Sequence, residues 1–373
     1  MKLLCLARAP LDYKGGIPEY CKNIYKDKEF GAEVYTYDLS GKLTKPLIRK
    51  QEGIKETIFP SELKFGTIAV SLRYLISIVR NKNKFTHFHT QHPDPFSAIS
   101  LIIAYLFNRK INIIITWHAE AYSSYLIVAP VLILIDLILF AFAKKIVFYT
   151  PSHIKDSLLS KLFYVKRKII MIPASIELPK TNIPQKKIYS IQHKNEINII
   201  SIGRLVKYKG YEYAIKSISL LKSNVKYTII GSGPLYKNLE KLIRKYKLEK
   251  RVILTGKITN EEKYSLLSNA DIFLFPSITK GEAYGLVQIE AMFYRLPIVN
   301  TFLDNGVNYL VPEDVAITCR VKKEEDICSA IGKLTNDDIF YQEMSQRSFN
   351  NLDRFNNLDE MRSKFKSLFK SLN

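Results

Sequence analysis

The chain has 373 residues, 47% hydrophobic and 24% charged, which is too long for one average globular domain and suits two. Its net charge of +21 is uneven: residues 1–190 hold 28 basic and 14 acidic side chains, residues 191–373 hold 28 and 21. The basic first half points to phosphate-bearing partners, and charge alone does not separate a nucleic acid from an anionic membrane surface.

The elements follow one rhythm, a short aliphatic run and then an amphipathic stretch. "KLLCLA" (2–7) predicts a strand, and "GGIPEYCKNIYKDK" a Gly-rich turn into a helix. "AEVYTYDL", "THFHTQ", "INIIITWH" and "KIVFYTP" predict further strands. A polar, basic connector near 178–195 marks a domain boundary. The rhythm then restarts: strands are expected at "INIISIG" (197–203), "KYTIIGSG", "RVILTGK", "DIFLFPS" and "PIVNT", with a helix between each pair. The expected fold is α/β: two doubly wound, parallel-sheet (Rossmann-like) domains, about 1–180 and 190–350, facing a central cleft. A C-terminal helix at about 355–373 is expected to pack back on the first domain. In such sheets ligands bind beyond the carboxyl ends of the strands, so chemistry is sought in the turns that follow them.

One segment resembles a membrane span. "YLIVAPVLILIDLILFAFA" (Tyr125 to Ala143) has nearly the right length, but Pro130 and Asp136 interrupt it and strand-like runs flank it. A buried or membrane-grazing helix is the expectation. The hydrophobic run of "MKLLCLARAP" is too short for a signal peptide, and Cys5, Cys21, Cys319 and Cys328 form no C-x-x-C pair. A cytoplasmic protein, peripheral at an inner membrane surface, is expected.

Three turns carry candidate chemistry. In "GRLVKYKGYE", Arg204 and Lys209 precede a helix opened by Gly210, an arrangement suited to a diphosphate and equally open to a bland reading in a Lys-rich chain. "GSGPL" contains Gly233 but lacks the full G-x-G-x-x-G, so dinucleotide binding has weak support. In "SITKGEAYGLVQIEAM", Glu282 falls in a loop and Glu290 about two turns into a helix, with Ala283, Tyr284, Gly285, Leu286 and Val287 between them. Two carboxylates beside a phosphate site are suited to neutral hydroxyls, those of a sugar and a ribose. Gly15 and Gly16 lie where a backbone could pass close to a phosphate or sugar. His87 and His89 share one side of a strand that could begin a metal site, though a cleft-lining strand end is preferred; there is no D-x-D signature, and Asp337–Asp338 reads as a solvated helix start.

"SITKGEAYGLVQIEAM" resembles the E-x7-E signature of the retaining, family-4 glycosyltransferases of GT-B architecture. "GG" after the first strand, "TWHAE" (116–120), "YTPSHIKDSLL", "IIMIPASIE", "SIGRLVKYKG" and "IIGSGP" agree in order and spacing, over about residues 1–315. The resemblance implies that Glu282 contacts donor-sugar hydroxyls and Glu290 the ribose. It also implies that Arg204 and Lys209 neutralise the diphosphate with N–H groups of Ala283–Val287, that His118 lies near the donor sugar, and that Gly15–Gly16 approach the diphosphate. Ala283 and Leu296 stand where the family usually has Gly, and "ASIE" (174–177) replaces its "N-G-I-D"-like turn, so donor preference does not transfer.

The implied function is transfer of a sugar from a UDP- or GDP-linked donor to a saccharide acceptor, with retention, without a metal or other cofactor, and with closure of the domains over the donor. The basic first domain and the apolar run suggest a lipid-linked acceptor at an anionic membrane surface, as in bacterial surface-polysaccharide (for example O-antigen) assembly. A nucleotide-sugar epimerase or sugar-phosphate synthase is the nearest alternative. A nucleic-acid-binding protein is the alternative of another class, and it leaves Glu282 and Glu290 unexplained; nucleic acid is not the expected partner.

Overall fold

The computed structural model describes residues 1–13, 15–65, 68–119, 128–179 and 190–372. Glu120, the start of the apolar run (125–127) and most of the connector (180–189) lie outside the described residues. Two compact units result, residues 1–176 with 357–373, and residues 177–356.

The first unit opens with β1 (Leu3–Leu6), α1 (Gly16–Tyr25) and β2 (Glu33–Tyr37), followed by β3 (Leu47–Gln51) and β4 (Ile54–Phe59). A small β5 (Leu63–Phe65) and β6 (Ile68–Val70) pair leads to α2 (Leu72–Arg80), β7 (His87–His92), α3 (Pro95–Phe107) and β8 (Asn112–Trp117). The unit continues through α4 (Ala129–Phe142), β9 (Lys145–Phe148), α5 (Pro151–Asp156), α6 (Phe163–Lys166) and β10 (Ile169–Met171). Its sheet runs β10-β9-β8-β7-β1-β2-β4-β3, parallel throughout except for the antiparallel edge strand β3. Helices begin where capping chemistry allows: Asp94 accepts from Phe96 N–H with Pro95 opening α3, and Thr150 accepts from His153 N–H with Pro151 opening α5.

The second unit contains β11 (Ile197–Ile202), α7 (Tyr211–Ser219), β12 (Val225–Ile230), α8 (Tyr236–Lys245), β13 (Val252–Gly256) and α9 (Asn260–Asn269). After these come β14 (Ile272–Phe275), α10 (Val287–Phe293), β15 (Ile298–Thr301), α11 (Gly306–Leu310) and β16 (Ala316–Cys319). Helices α12 (Glu324–Thr335), α13 (Asp338–Asn350) and α14 (Leu352–Phe355) close the unit, and α15 (Leu358–Lys370) belongs to the first one. The sheet is wholly parallel, β13-β12-β11-β14-β15-β16. The chain moves outward from β11 in one direction and then returns to its other side with β14, which creates a topological switch point between those two strands.

Both cores are aliphatic and aromatic. Ile113, Ile115, Phe88 and Trp117 are buried in the first, Ile199, Tyr227, Ile229 and Leu274 in the second. Each such side chain contributes about 1.5–3 kcal/mol on burial. That is why aliphatic runs bounded by polar turns suffice to set out the strands.

Within the described part of the 125–143 run, 128–143, α4 is a 14-residue helix, about 21 Å long at 1.5 Å per residue and short of a ~30 Å hydrocarbon core. No helix among the described residues is long and apolar enough to cross a membrane. Asp136, the charge inside the run, points inward and meets His92, Nε2 to Oδ1 3.0 Å, while His92 stacks on Trp117 at 4.8 Å. His87 and His89 do not line the carboxyl end of a strand. They lie early in β7 beneath α15, with Phe369 at 6.5 and 5.5 Å from their rings.

Candidate functional site

The switch point of the second sheet brings together the turns after β11 and β14, and the candidate charges lie there. Lys209, in the turn after β11, forms an ion pair with Glu282, in the loop after β14. The Glu282 carboxylate also accepts from Ser277 Oγ at 3.2 Å, and its main-chain carbonyl accepts from Asn305 Nδ2 at 2.6 Å, so both ends of the residue are fixed. The Lys209 ammonium lies 4.8 Å from the centre of the Phe275 ring, and both partners' side chains are mostly buried, at 10% and 12% exposure. Arg204 is exposed. It lies near the Tyr208 hydroxyl, which burial pushes up to about 12, with Glu282 raising it further and Arg204 opposing. Arg204, Tyr208, Lys209 and Glu282 therefore form one electrostatic cluster.

Glycine makes this convergence possible. Gly210 holds φ 66°, and a Cβ there would be driven into the carbonyl oxygen of Pro276, which follows β14. The G-R-L-x5-G spacing thus sets how closely the two turns approach. Gly233 serves close packing as well: a Cβ there would strike the backbone of Leu205, so glycine lets the turns after β11 and β12 lie against each other.

Glu290 sits in the first turn of the seven-residue α10, one turn in rather than two. Its carboxylate forms an ion pair with Lys263 of α9. Gly285 turns the chain into α10 with φ 76°, ahead of Leu286 and Val287, and Ala283 and Tyr284 bridge it to Glu282. The first N–H groups of a helix have no partner inside it. Sequence reasoning missed Lys263, Ser277 and Asn305. One signal for Lys263 was present: the Thr259–Glu262 capping box fixes the start of α9 and so puts Lys263 in its opening turn. Asp337 accepts from Phe340 N–H at 2.9 Å and caps α13, as a helix-start residue should.

The first unit presents a different environment. His118 follows β8 and is buried. Its Nε2 meets Gln91 Oε1 at 2.9 Å and its Nδ1 meets the Tyr149 hydroxyl. With the amide oxygen as acceptor, Nε2 carries the hydrogen and Nδ1 accepts. Burial, and then the neighbouring His153, His89 and His92, hold its pKa well below the ordinary histidine value, so the ring is neutral. Gly15 precedes α1 in extended backbone, φ 178°, and a Cβ on Gly16 would meet only open space. The loop leading to them is tied down: the buried Glu56 accepts from Leu11 N–H at 2.8 Å and from Arg49 Nε at 2.8 Å, and Arg49 clasps Asp12 with a two-pronged bond.

The outer helices of this unit are apolar. Val131, Leu134 and Ile138 form an exposed stripe on α4, joined by Leu106 and Phe107 on α3 and by Phe163 and Tyr164 on α6. Residues 95–119 and 128–171 carry nine Lys and Arg against Asp136 and Asp156 alone. Arg167 lies over the Phe163 ring at 4.6 Å, and Lys168 donates to the carbonyls of Phe140 and Ala141 at the end of α4.

Residues 184–351 match the family "Glycosyl transferases group 1". Among curated relatives, the phosphatidylinositol N-acetylglucosaminyltransferase GPI3 subunit of Saccharomyces cerevisiae is 30% identical over 148 residues, 39% of this chain and 32% of that protein. The N-acetylgalactosamine-N,N'-diacetylbacillosaminyl-diphospho-undecaprenol 4-alpha-N-acetylgalactosaminyltransferase of Campylobacter jejuni is 30% identical over 158 residues, 42% of each chain. The chain thus spans about a third to two fifths of these two relatives. Among solved structures, Anabaena HepE in complex with UDP superposes over 100% of both chains with a TM-score of 0.77 at 16% identity, a likeness of fold. Residues 184–351 match the glycosyl transferases group 1 family, and the chain has the two-domain α/β fold of GT-B architecture.

Proposed function

We propose that the protein is a retaining glycosyltransferase that moves a sugar from a UDP- or GDP-linked donor to a lipid-linked saccharide acceptor, as in bacterial surface-polysaccharide assembly. The observation that carries this reading is the meeting of Lys209 with Glu282 at the switch point of the second sheet, flanked by Arg204 and by the Lys263–Glu290 pair. Cations and carboxylates in one place suit a ligand that is itself part anion and part polyol. In this reading Arg204 and Lys209 hold the diphosphate, Glu282 the sugar hydroxyls and Glu290 the ribose, while the N–H groups of Ala283–Val287 and the Gly15–Gly16 backbone face the diphosphate. His118 serves as a neutral polar group beside the donor sugar.

The chemistry is a front-face exchange. The bond from the anomeric carbon to the phosphate oxygen breaks, and its electron pair leaves with the nucleoside diphosphate. The acceptor hydroxyl oxygen bonds to the same face of that carbon, and its proton passes to the departing phosphate oxygen. The protein's share is to stabilise the growing negative charge with Arg204 and Lys209, and no metal is assigned a part. The acceptor reading draws on the apolar face of α3, α4 and α6 with its surrounding cations, a surface suited to lying on an anionic bilayer. The names of both relatives also include a lipid, phosphatidylinositol in one and a diphospho-undecaprenol in the other.

Calorimetric titration of UDP, GDP and ADP into the metal-free protein tests the donor half. Binding of one nucleotide that Arg204→Ala/Lys209→Ala abolishes is the expected result, and no binding of any of them would remove the assignment. Flotation with anionic vesicles tests the membrane half, and a protein left at the bottom of the gradient would count against it.

A further inference from the structure

A diphosphate and Glu282 make rival claims on one ammonium group. Lys209 has little freedom to serve both by swinging away. Its stem is packed so tightly against the β11 turn that a Cβ on Gly203 would lie 3.1 Å from Lys209 Cε and 3.2 Å from Nζ. Phe275 closes another side at 4.8 Å. The rival carboxylate is just as constrained, with Ser277 on one oxygen and Asn305 on its main chain. When a diphosphate draws Lys209 toward itself, Glu282 loses most of its ion pair in a place where 12% of its side chain is exposed. A carboxylate left so needs other donors. The hydroxyls of a sugar attached to the diphosphate supply them, and a bare nucleoside diphosphate does not.

We propose that Glu282 is the residue by which the site distinguishes a sugar-bearing donor from its nucleoside diphosphate product, through competition with the diphosphate for Lys209. This rests on the donor-site reading above. The Lys263–Glu290 pair is not subject to the same rivalry, since that reading gives Glu290 the ribose, which donor and product share. Two glutamates eight positions apart therefore have opposite effects on product affinity: Glu282 weakens it and Glu290 strengthens it.

The test is calorimetry of UDP and UDP-glucose, with GDP and ADP where UDP does not bind, against the wild type, Glu282→Gln, Lys209→Ala, the double variant and Glu290→Gln. Glu282→Gln is expected to bind the bare diphosphate about tenfold more tightly, with that gain absent in the Lys209→Ala background. Its preference for UDP-glucose over UDP should shrink, and Glu290→Gln should bind UDP more weakly. Thermal melting of each variant identifies any that fails to fold, in which case Glu282→Ala is expected to show the same gain. Unchanged or weaker binding of the diphosphate by Glu282→Gln would overturn the inference. So would an equal gain without Lys209, which would show simple charge repulsion. Failure of the wild type to bind any of the three nucleotides would bring down the donor-site reading, and the inference with it.

Discussion

The carboxyl ends of the two sheets are wound alike and furnished differently. Beyond the first sheet lies an uncharged polar group locked to its neighbours, His118 with Gln91 and Tyr149. Beyond the second lie formal charges in pairs, Lys209 with Glu282 on turns that touch backbone to backbone and Lys263 of α9 with Glu290 of α10. The net charge misleads here. The first half carries more of it, but its basic residues are spread along the chain, nine of the 28 within the outer-helix segments 95–119 and 128–171, whereas the second half gathers cations and carboxylates at one strand switch. Concentration of charge at a geometric focus, not its total, marks the place suited to a diphosphate.

Acid should separate the two units most strongly. Burial lowers the His153 pKa to about 4 and that of His89 to about 3, and holds His118 well below the usual value. As pH falls from about 6.5 toward 4, the unfolded chain binds protons that these folded histidines refuse, so stability is lost in that window and is unaffected above it. Three such groups cost the first unit about 4 kcal/mol per pH unit. The fluorescence of Trp117, the chain's single tryptophan, reports that unit's melting. A transition that stays flat from pH 7 to 5 would refute the neutral network.

Next in size is a substitution at the backbone seam of the second unit. Gly210→Ala should cost about 3 kcal/mol, because a Cβ meets Pro276 and φ is positive. Nucleotide binding should fall with it, and a variant with wild-type melting would mean that the turns do not depend on that contact. Lys209→Ala should lower nucleoside diphosphate affinity about a hundredfold, near 2.7 kcal/mol, as read by calorimetry. The smallest effect concerns the first unit's outer face. Leu134→Glu should weaken binding to anionic vesicles about tenfold while leaving melting within ~0.5 kcal/mol, since Leu134 is 58% exposed. Equal flotation of variant and wild type would show that α4 does not face the bilayer.

Much of this architecture was legible from aliphatic periodicity, because parallel strands buried on both faces read as continuous runs such as "NIIITW" and "IFLF". The β3–β4 hairpin was not. Its strands mix charge with apolar residues at a sheet edge, and only the Glu52–Gly53 turn, with φ of 49° and 86°, signals it. The spacing of Glu282 and Glu290 was readable, but the lysines that hold them were not equally so. Lys209 lies in the same short motif as Arg204, whereas Lys263 reaches Glu290 only through the crossover from β13 to β14, which spacing along the chain does not encode. Asp136 looked like a charge in a membrane run because nothing local identifies His92, 44 positions earlier, as its partner.

Hydrogen exchange with and without whichever of UDP, GDP and ADP binds most tightly tests the central claim most directly. The account predicts protection in the peptides covering 203–211 and 277–290, the turns after β11 and β14, and its absence in peptides of the outer helices at 95–107 and 129–142. Protection concentrated in those basic, apolar helices, with none at the β11–β14 switch, would contradict it.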